Sequence, residues 1–231
     1  MKPEVMETWP EHAAAHNTHS IMFDLIARHV GNVAGVAICD IPCGAGLFSR
    51  RLADAGMQVT AMDIEAVEPY LFDASRRVLG DANQGLPFES AKFDSLVSIE
   101  GIEHLENPSG FLRECARVVK PGGWIFLSTP NVDGFRSRKY VLLRGYHRFF
   151  GPQGDRSKDS GHLLPIDMIF FRGAAARAGL EIIDIKVNDL SGKNWVKEWL
   201  RKILMCRLPV SMRGEIPFYG DVIIYALRKL D

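Results

Sequence analysis

One strand–turn–helix junction constrains the fold of this chain more than any other stretch. An apolar run at 36–41 is followed by two glycines, Gly44 and Gly46, and then by a helical pattern that begins at Leu47. Glycines let the backbone come close to a ligand, and the free N–H groups at the start of a helix attract an anion. This order predicts an α/β fold that binds a ligand at the turn.

Short apolar runs alternate with helical patterns along most of the rest of the chain. Such alternation is typical of βαβ units and of a parallel sheet. The predicted strands are 36–41, 59–62, 78–79, 93–98, 124–128, 181–187 and 222–227, and the predicted helices are 47–55, 108–119 and 166–178.

Length and composition favour one soluble, cytoplasmic domain. A chain of 231 residues with 47% hydrophobic residues can bury a core without a disulfide or a metal. Its four cysteines form no C-x-x-C pair, so zinc is not expected. The N-terminus is polar rather than signal-like, and no apolar run approaches the roughly 20 residues of a membrane span.

The ligand at the turn is expected to carry adenosine. The second predicted strand ends at Asp63, and an acidic residue there accepts hydrogen bonds from the ribose hydroxyls. Position 49 is Ser, whereas a dinucleotide fingerprint has Gly or Ala there. Asp40 would also repel a pyrophosphate, but it would attract the ammonium of a methionine tail. These residues favour S-adenosylmethionine over NAD.

Five motifs follow one another in the order seen in class I S-adenosylmethionine-dependent methyltransferases. The chain resembles this family closely over 36–131, and is nearest in motif to the ubiquinone-biosynthesis O-methyltransferase-like small-molecule group. The resemblance implies a Rossmann-like, doubly wound α/β fold with a mostly parallel seven-stranded sheet whose last strand is antiparallel. The motifs are DIPCGAG at 40–46, Asp63, GDA at 80–82 with LPF at 86–88, FDSLV at 93–97 and KPGGW at 120–124.

The resemblance also implies which residues contact the cofactor. The glycine loop would pack against the methionine part, Asp63 would hold the ribose, and Asp81 would bond the adenine amine. For Asp81 the alternative is a role in a turn or a helix cap. The implied set is Asp40, Cys43, Gly44, Gly46, Asp63, Ile64, Asp81, Ala82, Glu100 and Gly101.

Catalytic candidates follow the fourth predicted strand. Glu100, Glu103 and His104 have spacings that place them on one face of a helical turn. The E-x-x-E-H pattern resembles that of ubiquinone-pathway O-methyltransferases and small-RNA 2′-O-methyltransferases, in which a further histidine follows; here His162 is the candidate. These four residues would bind Mg²⁺ or a similar ion, which lowers the pKa of an acceptor hydroxyl. The alternative is a metal-free site in which His104 is the base or only a wall residue, with His162 near the acceptor.

Other histidines lie near the N-terminus. His12, His16 and His19 stand at helical spacing before the first strand, without nearby acidic or cysteine partners. We interpret them as the solvated face of a helix that covers the cofactor, not as a metal site.

We expect a single methyltransferase domain over 1–231. Its parts are an N-terminal helical lid at 1–35, a cofactor-binding core at 36–131, an acceptor-site insertion at 132–164 and a C-terminal part at 165–231. The insertion is expected to be a long loop, because its many Gly, Arg and aromatic residues interrupt the alternation.

The acceptor is expected to be a small molecule that is methylated at oxygen. The first 130 residues carry a net charge of −7 and the remainder +7, so the second part is expected to meet an anion. A phosphate- or carboxylate-bearing, glycan-linked or lipid-linked acceptor would fit, whereas a net charge of zero argues against a broad nucleic-acid surface. The alternatives are an RNA 2′-O-methyltransferase and a non-catalytic S-adenosylmethionine-binding protein.

A basic amphipathic helix is predicted at 193–206, with Trp195 and Trp199 on its apolar side. Its apolar side is expected to pack on the domain or on a second copy of the chain in a homodimer. The alternative is peripheral contact with an anionic membrane.

Overall fold

The computed structural model describes residues 17–151, 161–188 and 219–231. Apart from three short 3₁₀ turns, these residues form five helices and seven strands. In chain order they are α1 Thr18–Val30, β1 Ala37–Asp40, α2 Leu47–Asp54, β2 Gln58–Asp63, β3 Arg77–Leu79, β4 Phe93–Ile99, α3 Pro108–Val118, β5 Val119–Pro130, α4 Phe135–Arg144, α5 Met168–Arg177, β6 Leu180–Val187 and β7 Val222–Lys229.

The strands form one mixed sheet in the order β3-β2-β1-β4-β5-β7-β6. Strands β1 to β5 pair in parallel, whereas β7 lies between β5 and β6 and is antiparallel to both. The predicted fold class, including the antiparallel last strand, is confirmed. The order reverses at β1, so a crevice opens beyond the carboxyl ends of β1 and β4.

Helices cover both faces of the sheet, and β7 shows why. Its residues are buried along almost the whole strand, because successive side chains point to opposite, covered faces. Ile223, Tyr225 and Leu227 belong to the core beneath α3 and α5. Val222, Ile224 and Ala226 belong to the core beneath α1 and α2.

The predicted N-terminal lid is also part of the core. Met22, Leu25 and Ile26 of α1 are at most 2% exposed and pack against residues of α2, β4 and β7. Helix α1 is therefore held to the sheet by apolar contacts, which fixes the position of its N-terminal end above the crevice.

Two local predictions differ from the structure. The Pro-Gly-Gly stretch at 121–123 is not a turn that precedes the strand. It lies inside β5, which begins at Val119 and has a bulge near its start, with Gly122 at φ +65°. The long loop expected at 132–164 contains α4, Phe135–Arg144, which lies between Gly134 and Gly145. Helix α4 had no recognisable apolar stripe, because its apolar residues are consecutive rather than spaced by three or four.

The amphipathic segment at 193–206 lies outside the described residues. Within the described ranges, no helix has the length and apolar character needed to cross a membrane.

Candidate active site

A cavity of about 360 Å³ opens at the carboxyl edge of the sheet. This volume falls within the range of about 300–1,000 Å³ that is usual for small-ligand pockets. Its wall combines the ends of β1, β2 and β4 with the glycine loop, the start of α1 and two histidines from later segments. The lining includes His19, Asp40, Cys43, Gly44, Asp63, Glu100, His104 and His162.

The two glycines of the loop have different roles. Gly44 has φ +51°, and a Cβ added there would meet no atom within 4 Å, so its backbone faces open space in the cavity wall. Gly46 has φ +79°, and a Cβ there would lie 2.8 Å from the ring of Tyr70. Gly44 leaves room for a ligand, whereas Gly46 leaves room for the segment that follows β2.

That segment holds the loop from outside. The Leu71 N–H donates to the Ala45 carbonyl at 2.7 Å, and the Tyr70 hydroxyl lies 3.8 Å from Cys43 Sγ. Arg77 stacks over the Tyr70 ring, with 4.3 Å between its guanidinium carbon and the ring centroid. These contacts could not be predicted, since nothing in the sequence around Tyr70 indicates that the chain folds back there.

Asp63 fixes the ligand-facing glycine. It ends β2 and is 9% exposed, and its Oδ2 accepts a hydrogen bond of 2.7 Å from the Gly44 N–H. Its Oδ1 accepts a longer bond, 3.3 Å, from the N–H of Glu65. A carboxylate oxygen has more than one lone pair, so Asp63 can hold the loop and still accept from a ligand.

Asp40 is the most deeply buried acid in the wall, at 1% exposure. The Ser49 hydroxyl donates to its Oδ2 at 2.5 Å. Burial raises the pKa of Asp40 to about 7, although the Ser49 hydrogen bond opposes the shift. Ser49, which argues against a dinucleotide, thus has a definite role as the partner of this carboxyl. A cation entering the cavity would favour the ionised form of Asp40.

His19 does not belong to a fully solvated helix face, as the sequence suggested. It lies in the cavity wall and packs against Phe48 with 5.0 Å between ring centroids. Burial, followed by the charge of Arg51, lowers its pKa to about 4. The histidine is therefore neutral at physiological pH. The expectation that this helix covers the cofactor stays a prediction, while His12 and His16 lie outside the described residues.

Three predicted catalytic or metal-binding residues meet beside the cavity, and the two histidines among them line it. Glu103, His104 and His162 each present a ligand atom, and these atoms lie within 4.8 Å of one another. His162 Nε2 is 3.9 Å from Glu103 Oε1, and the rings of the two histidines are 4.7 Å apart. Residues separated by more than fifty positions are thus brought together by the chain that returns after α4.

Backbone carbonyls orient both imidazoles of this cluster. Nδ1 of His104 lies 3.0 Å from the Gly161 carbonyl, and Nδ1 of His162 lies 3.1 Å from the Phe149 carbonyl. A carbonyl only accepts, so each Nδ1 carries the proton and each Nε2 is left as a base or ligand atom. This arrangement is the one that acid–base and metal-ligating histidines share.

Glu103 is fully buried, and neither of its carboxyl oxygens has a hydrogen-bond partner among the described residues. Burial raises the pKa of this carboxyl to about 8, so it holds a proton at neutral pH. A buried acid that makes no hydrogen bond costs free energy unless a ligand or a proton compensates. Glu103 is therefore suited to exchange a proton or to bind a cation.

Glu100 departs from the predicted cluster. The 3₁₀ turn begins only at Ile102, and Glu100 precedes it with φ +50°. Its side chain is not among the converging ligand atoms of Glu103, His104 and His162, although it lines the cavity. The expectation that Glu100, Glu103 and His104 share one face of a helical turn is wrong, because the backbone changes direction between them.

Other predicted cofactor residues lie outside the wall of this cavity. Asp81 caps a 3₁₀ turn by accepting from the Asn83 N–H at 2.9 Å, which is the alternative role considered for it. Ala82 packs against the core, and Ile64 is 63% exposed. Gly101 lies against Pro42, and a Cβ at Gly101 would overlap that ring. Cofactor contacts by these four residues stay predictions.

Comparison with known proteins agrees with this geometry. Residues 39–127 match the model of a family described as a methyltransferase domain. The chain is 31% identical over 145 residues to the ubiquinone biosynthesis O-methyltransferase of Aromatoleum aromaticum, an alignment that covers 59% of this chain and 61% of that protein. It is 27% identical over 197 residues to the protein of the same name from Xanthomonas oryzae pv. oryzae, with 77% and 73% covered.

Solved structures share the fold over nearly the whole chain. One is the 1,6-didemethyltoxoflavin-N1-methyltransferase of Burkholderia thailandensis, solved with bound S-adenosylhomocysteine. It is 13% identical, with a TM-score of 0.58, and the match covers 92% of this chain and 78% of that one. The strand order, the ordered motifs and the matched family model agree with one another. Residues 39–127 of this chain therefore resemble a methyltransferase domain, and the described residues have the fold of solved S-adenosylmethionine-dependent methyltransferases.

Proposed function

We propose that the protein is an enzyme that transfers a methyl group from S-adenosylmethionine to a hydroxyl oxygen of a small acceptor. The observation that carries the proposal is the position of the Glu103–His104–His162 cluster, whose two histidines line the same cavity as the glycine loop. A hydroxyl must lose a proton when it is methylated, so a base beside the cofactor pocket is the group that oxygen methylation requires.

The cavity fits S-adenosylmethionine. Gly44 offers open space, Asp63 offers carboxylate oxygens for ribose hydroxyls, and Asp40 offers a buried carboxyl for an ammonium. When bound, the cofactor supplies an electrophilic methyl group. The protein aligns the acceptor with it and excludes water, and the buried walls of the cavity serve that purpose.

The acid–base role belongs to the two histidines. Each imidazole is held by a carbonyl at Nδ1, and Nε2 of His104 is the atom that can accept the proton of the acceptor hydroxyl. His162 Nε2 faces Glu103, whose raised pKa lets it exchange a proton near neutral pH. The proton can pass from the acceptor to this cluster.

A metal-assisted version of the same reaction is the second candidate. Three ligand atoms within 4.8 Å of one another and two carbonyl-oriented imidazoles support it. The donor set does not fit the predicted Mg²⁺, which prefers oxygen ligands. Two imidazoles and one carboxylate suit Mn²⁺, Fe²⁺ or Zn²⁺ better. These residues would hold such an ion, which would lower the pKa of an acceptor hydroxyl.

The acceptor class is tested by release of S-adenosylhomocysteine with a panel of small hydroxyl compounds, including phenols with and without a prenyl tail. Matched amines and a short RNA serve as comparison acceptors. Turnover with a hydroxyl compound but not with its amine supports the proposal. Turnover only with RNA or with amines contradicts it, and binding of S-adenosylhomocysteine without any turnover favours a non-catalytic protein.

Chelation separates the two versions of the mechanism. If histidines alone act, EDTA leaves turnover unchanged. If an ion is required, EDTA abolishes turnover while S-adenosylhomocysteine still binds, and Mn²⁺ restores it. Glu103→Gln then behaves like EDTA treatment.

A further inference from the structure

Asp221 immediately precedes β7, at the carboxyl edge of β5, and its backbone is fixed from both sides. The Asn131 N–H, just after β5, donates to the Asp221 carbonyl at 2.8 Å. On the other side, the side-chain oxygen of Asn188 accepts from the Asp221 N–H at 2.8 Å. Asn188 follows β6 and is fully buried. Asp221 is therefore anchored to the ends of the two strands that flank β7.

The buried carboxylate of Asp221 binds two arginines from the segment that follows β5. Its Oδ1 accepts from Arg148 at 2.8 Å, and its Oδ2 accepts from Arg136 of α4 at 3.0 Å. Arg148 is also held at its backbone, because its N–H donates to Ser137 Oγ at 3.2 Å. Both the main chain and the side chain of Arg148 are thus fixed relative to the sheet.

The residue after Arg148 has a strained backbone. Phe149 has φ +71°, a conformation that is uncommon for any residue other than glycine and disfavoured for a bulky one. Such a conformation persists only where the surrounding structure imposes it. The Arg148 guanidinium supplies one such contact, since it lies over the Phe149 ring at 4.6 Å from the ring centroid. The ion pair with Asp221 therefore places the group that packs on Phe149.

The carbonyl of this strained residue orients a histidine of the candidate active site. The Phe149 carbonyl lies 3.1 Å from Nδ1 of His162. Because a carbonyl only accepts, this contact selects the tautomer that carries its proton on Nδ1. Nε2 of the same ring is then free of a proton, and it lies 3.9 Å from Oε1 of Glu103.

We propose that Asp221 is a positioning residue that sets the place and the tautomer of His162. It acts through Arg148 on Phe149, and the Phe149 carbonyl acts on the imidazole. Asp221 is not part of the cavity wall, so its effect must pass through these contacts. Its importance for methyl transfer rests on the proposed function, in which the histidine cluster takes up a proton, whereas the orientation of the ring does not.

Nitrogen-15 NMR of the histidine rings tests the proposal on the full chain without an acceptor. His162→Gln assigns the His162 signals, and spectra are recorded at about pH 8.5, where an ordinary imidazole is neutral. The wild type should carry the His162 proton on Nδ1. Asp221→Ala and Arg148→Ala should each move the tautomer ratio about fivefold toward Nε2–H, the size of change that loss of one hydrogen bond produces.

Arg136→Ala is the matched control, because it removes the other arginine from the same carboxylate. It should leave the His162 tautomer ratio at the wild-type value. Combining Asp221→Ala with Arg148→Ala should shift the ratio no further than either change alone, since both act through one contact. Melting temperatures without ligand show that each variant is folded, and Arg148→Lys, which keeps the charge, should restore part of the wild-type ratio.

Turnover is the second measurement, made with a hydroxyl acceptor from the panel described above. Asp221→Ala and Arg148→Ala should lower kcat by about tenfold, a part of what a general base contributes, and should leave KM within about twofold. Arg136→Ala should retain the wild-type kcat. A merely structural role of Asp221 would instead make the two arginine variants alike.

Four results overturn the proposal. They are a wild-type His162 that carries its proton on Nε2, a tautomer ratio that neither Asp221→Ala nor Arg148→Ala changes, an equal shift in Arg136→Ala, and a shifted ratio that leaves kcat unchanged. The expected shift in a protein that methylates no hydroxyl compound would contradict the proposed function and still support the positioning of His162.

Discussion

The glycine loop and helix α4 both follow a strand at the carboxyl edge of the sheet, but they are held in different ways. The loop after β1 is surrounded by buried groups: Asp63 binds Gly44, Ser49 binds Asp40, and Tyr70 closes over Gly46. Helix α4 after β5 is attached by ion pairs of Arg136 and Arg138 near its N-terminal end and is exposed over its last two turns. A site that binds one invariant cofactor benefits from rigid walls, whereas a segment that meets an acceptor can depend on its partner for stability.

The largest effect is expected on turnover, at His104 in the cavity wall that the glycine loop also lines. His104→Ala removes an imidazole whose Nε2 can take the acceptor proton, so turnover should fall by about 100-fold or more. Affinity for S-adenosylhomocysteine should change little, and the measurement is a comparison of turnover with calorimetric titration.

His29→Ala is the matched control. His29 lies in the last turn of α1, outside the cavity wall, and packs against Trp124. It should leave turnover near the wild-type level. Equal losses in both variants would mean that His104 acts on stability and not on the reaction.

The cofactor region itself is tested at Asp63. Asp63→Ala removes the acceptor that fixes the Gly44 N–H and a carboxylate for ribose hydroxyls. A charge-assisted hydrogen bond contributes roughly 1.5–3 kcal/mol, so the dissociation constant for S-adenosylhomocysteine should rise by about 10- to 100-fold. Asp73→Ala changes an exposed aspartate that caps a 3₁₀ turn and should have no such effect. An unchanged affinity for Asp63→Ala would contradict the proposed ribose contact.

The pH dependence of cofactor binding is expected to come from Asp40. Its pKa of about 7 in the ligand-free protein means that the carboxyl is mostly protonated at pH 6 and mostly ionised at pH 8. Only the ionised form attracts an ammonium, so affinity for S-adenosylhomocysteine should rise with pH, by about tenfold over this interval.

Two variants identify the group responsible in titrations at both pH values. Asp40→Asn should make the affinity independent of pH in this range, whereas Glu103→Gln should retain the dependence. A slope that disappears with Glu103→Gln instead would assign the titration to the catalytic cluster.

The smallest effect is expected on the stability of α4. Leu142→Ala shortens a side chain that is 84% exposed, so the free energy of unfolding should change by less than about 0.5 kcal/mol. Leu127→Ala is the matched core variant, fully buried in β5, and should cost about 2–5 kcal/mol. Denaturant unfolding measures both. A large loss for Leu142→Ala would show that the helix packs on the domain.

The strands of the sheet, and the edge of the sheet at which the cofactor is expected to bind, could be predicted from the amino-acid sequence alone. Strands and the glycine turn are encoded locally, by apolar runs, by glycines with positive φ and by acidic residues at strand ends, so Asp40, Gly44 and Asp63 could be placed at one edge without coordinates. His162 was identified only through a resemblance, because nothing local indicates that it approaches Glu103.

Tertiary structure decided which candidates meet and in what state. Packing put His19 into the cavity wall, left Glu100 outside the converging ligand atoms of Glu103, His104 and His162, and made Asp81 the cap of a 3₁₀ turn, while its contact with the cofactor stays a prediction. Burial, which no local pattern reveals, raised the pKa values of Asp40 and Glu103. Sequence spacing fixes neighbours within one element, whereas contacts between segments and the desolvation of a charge depend on how the whole chain packs around them.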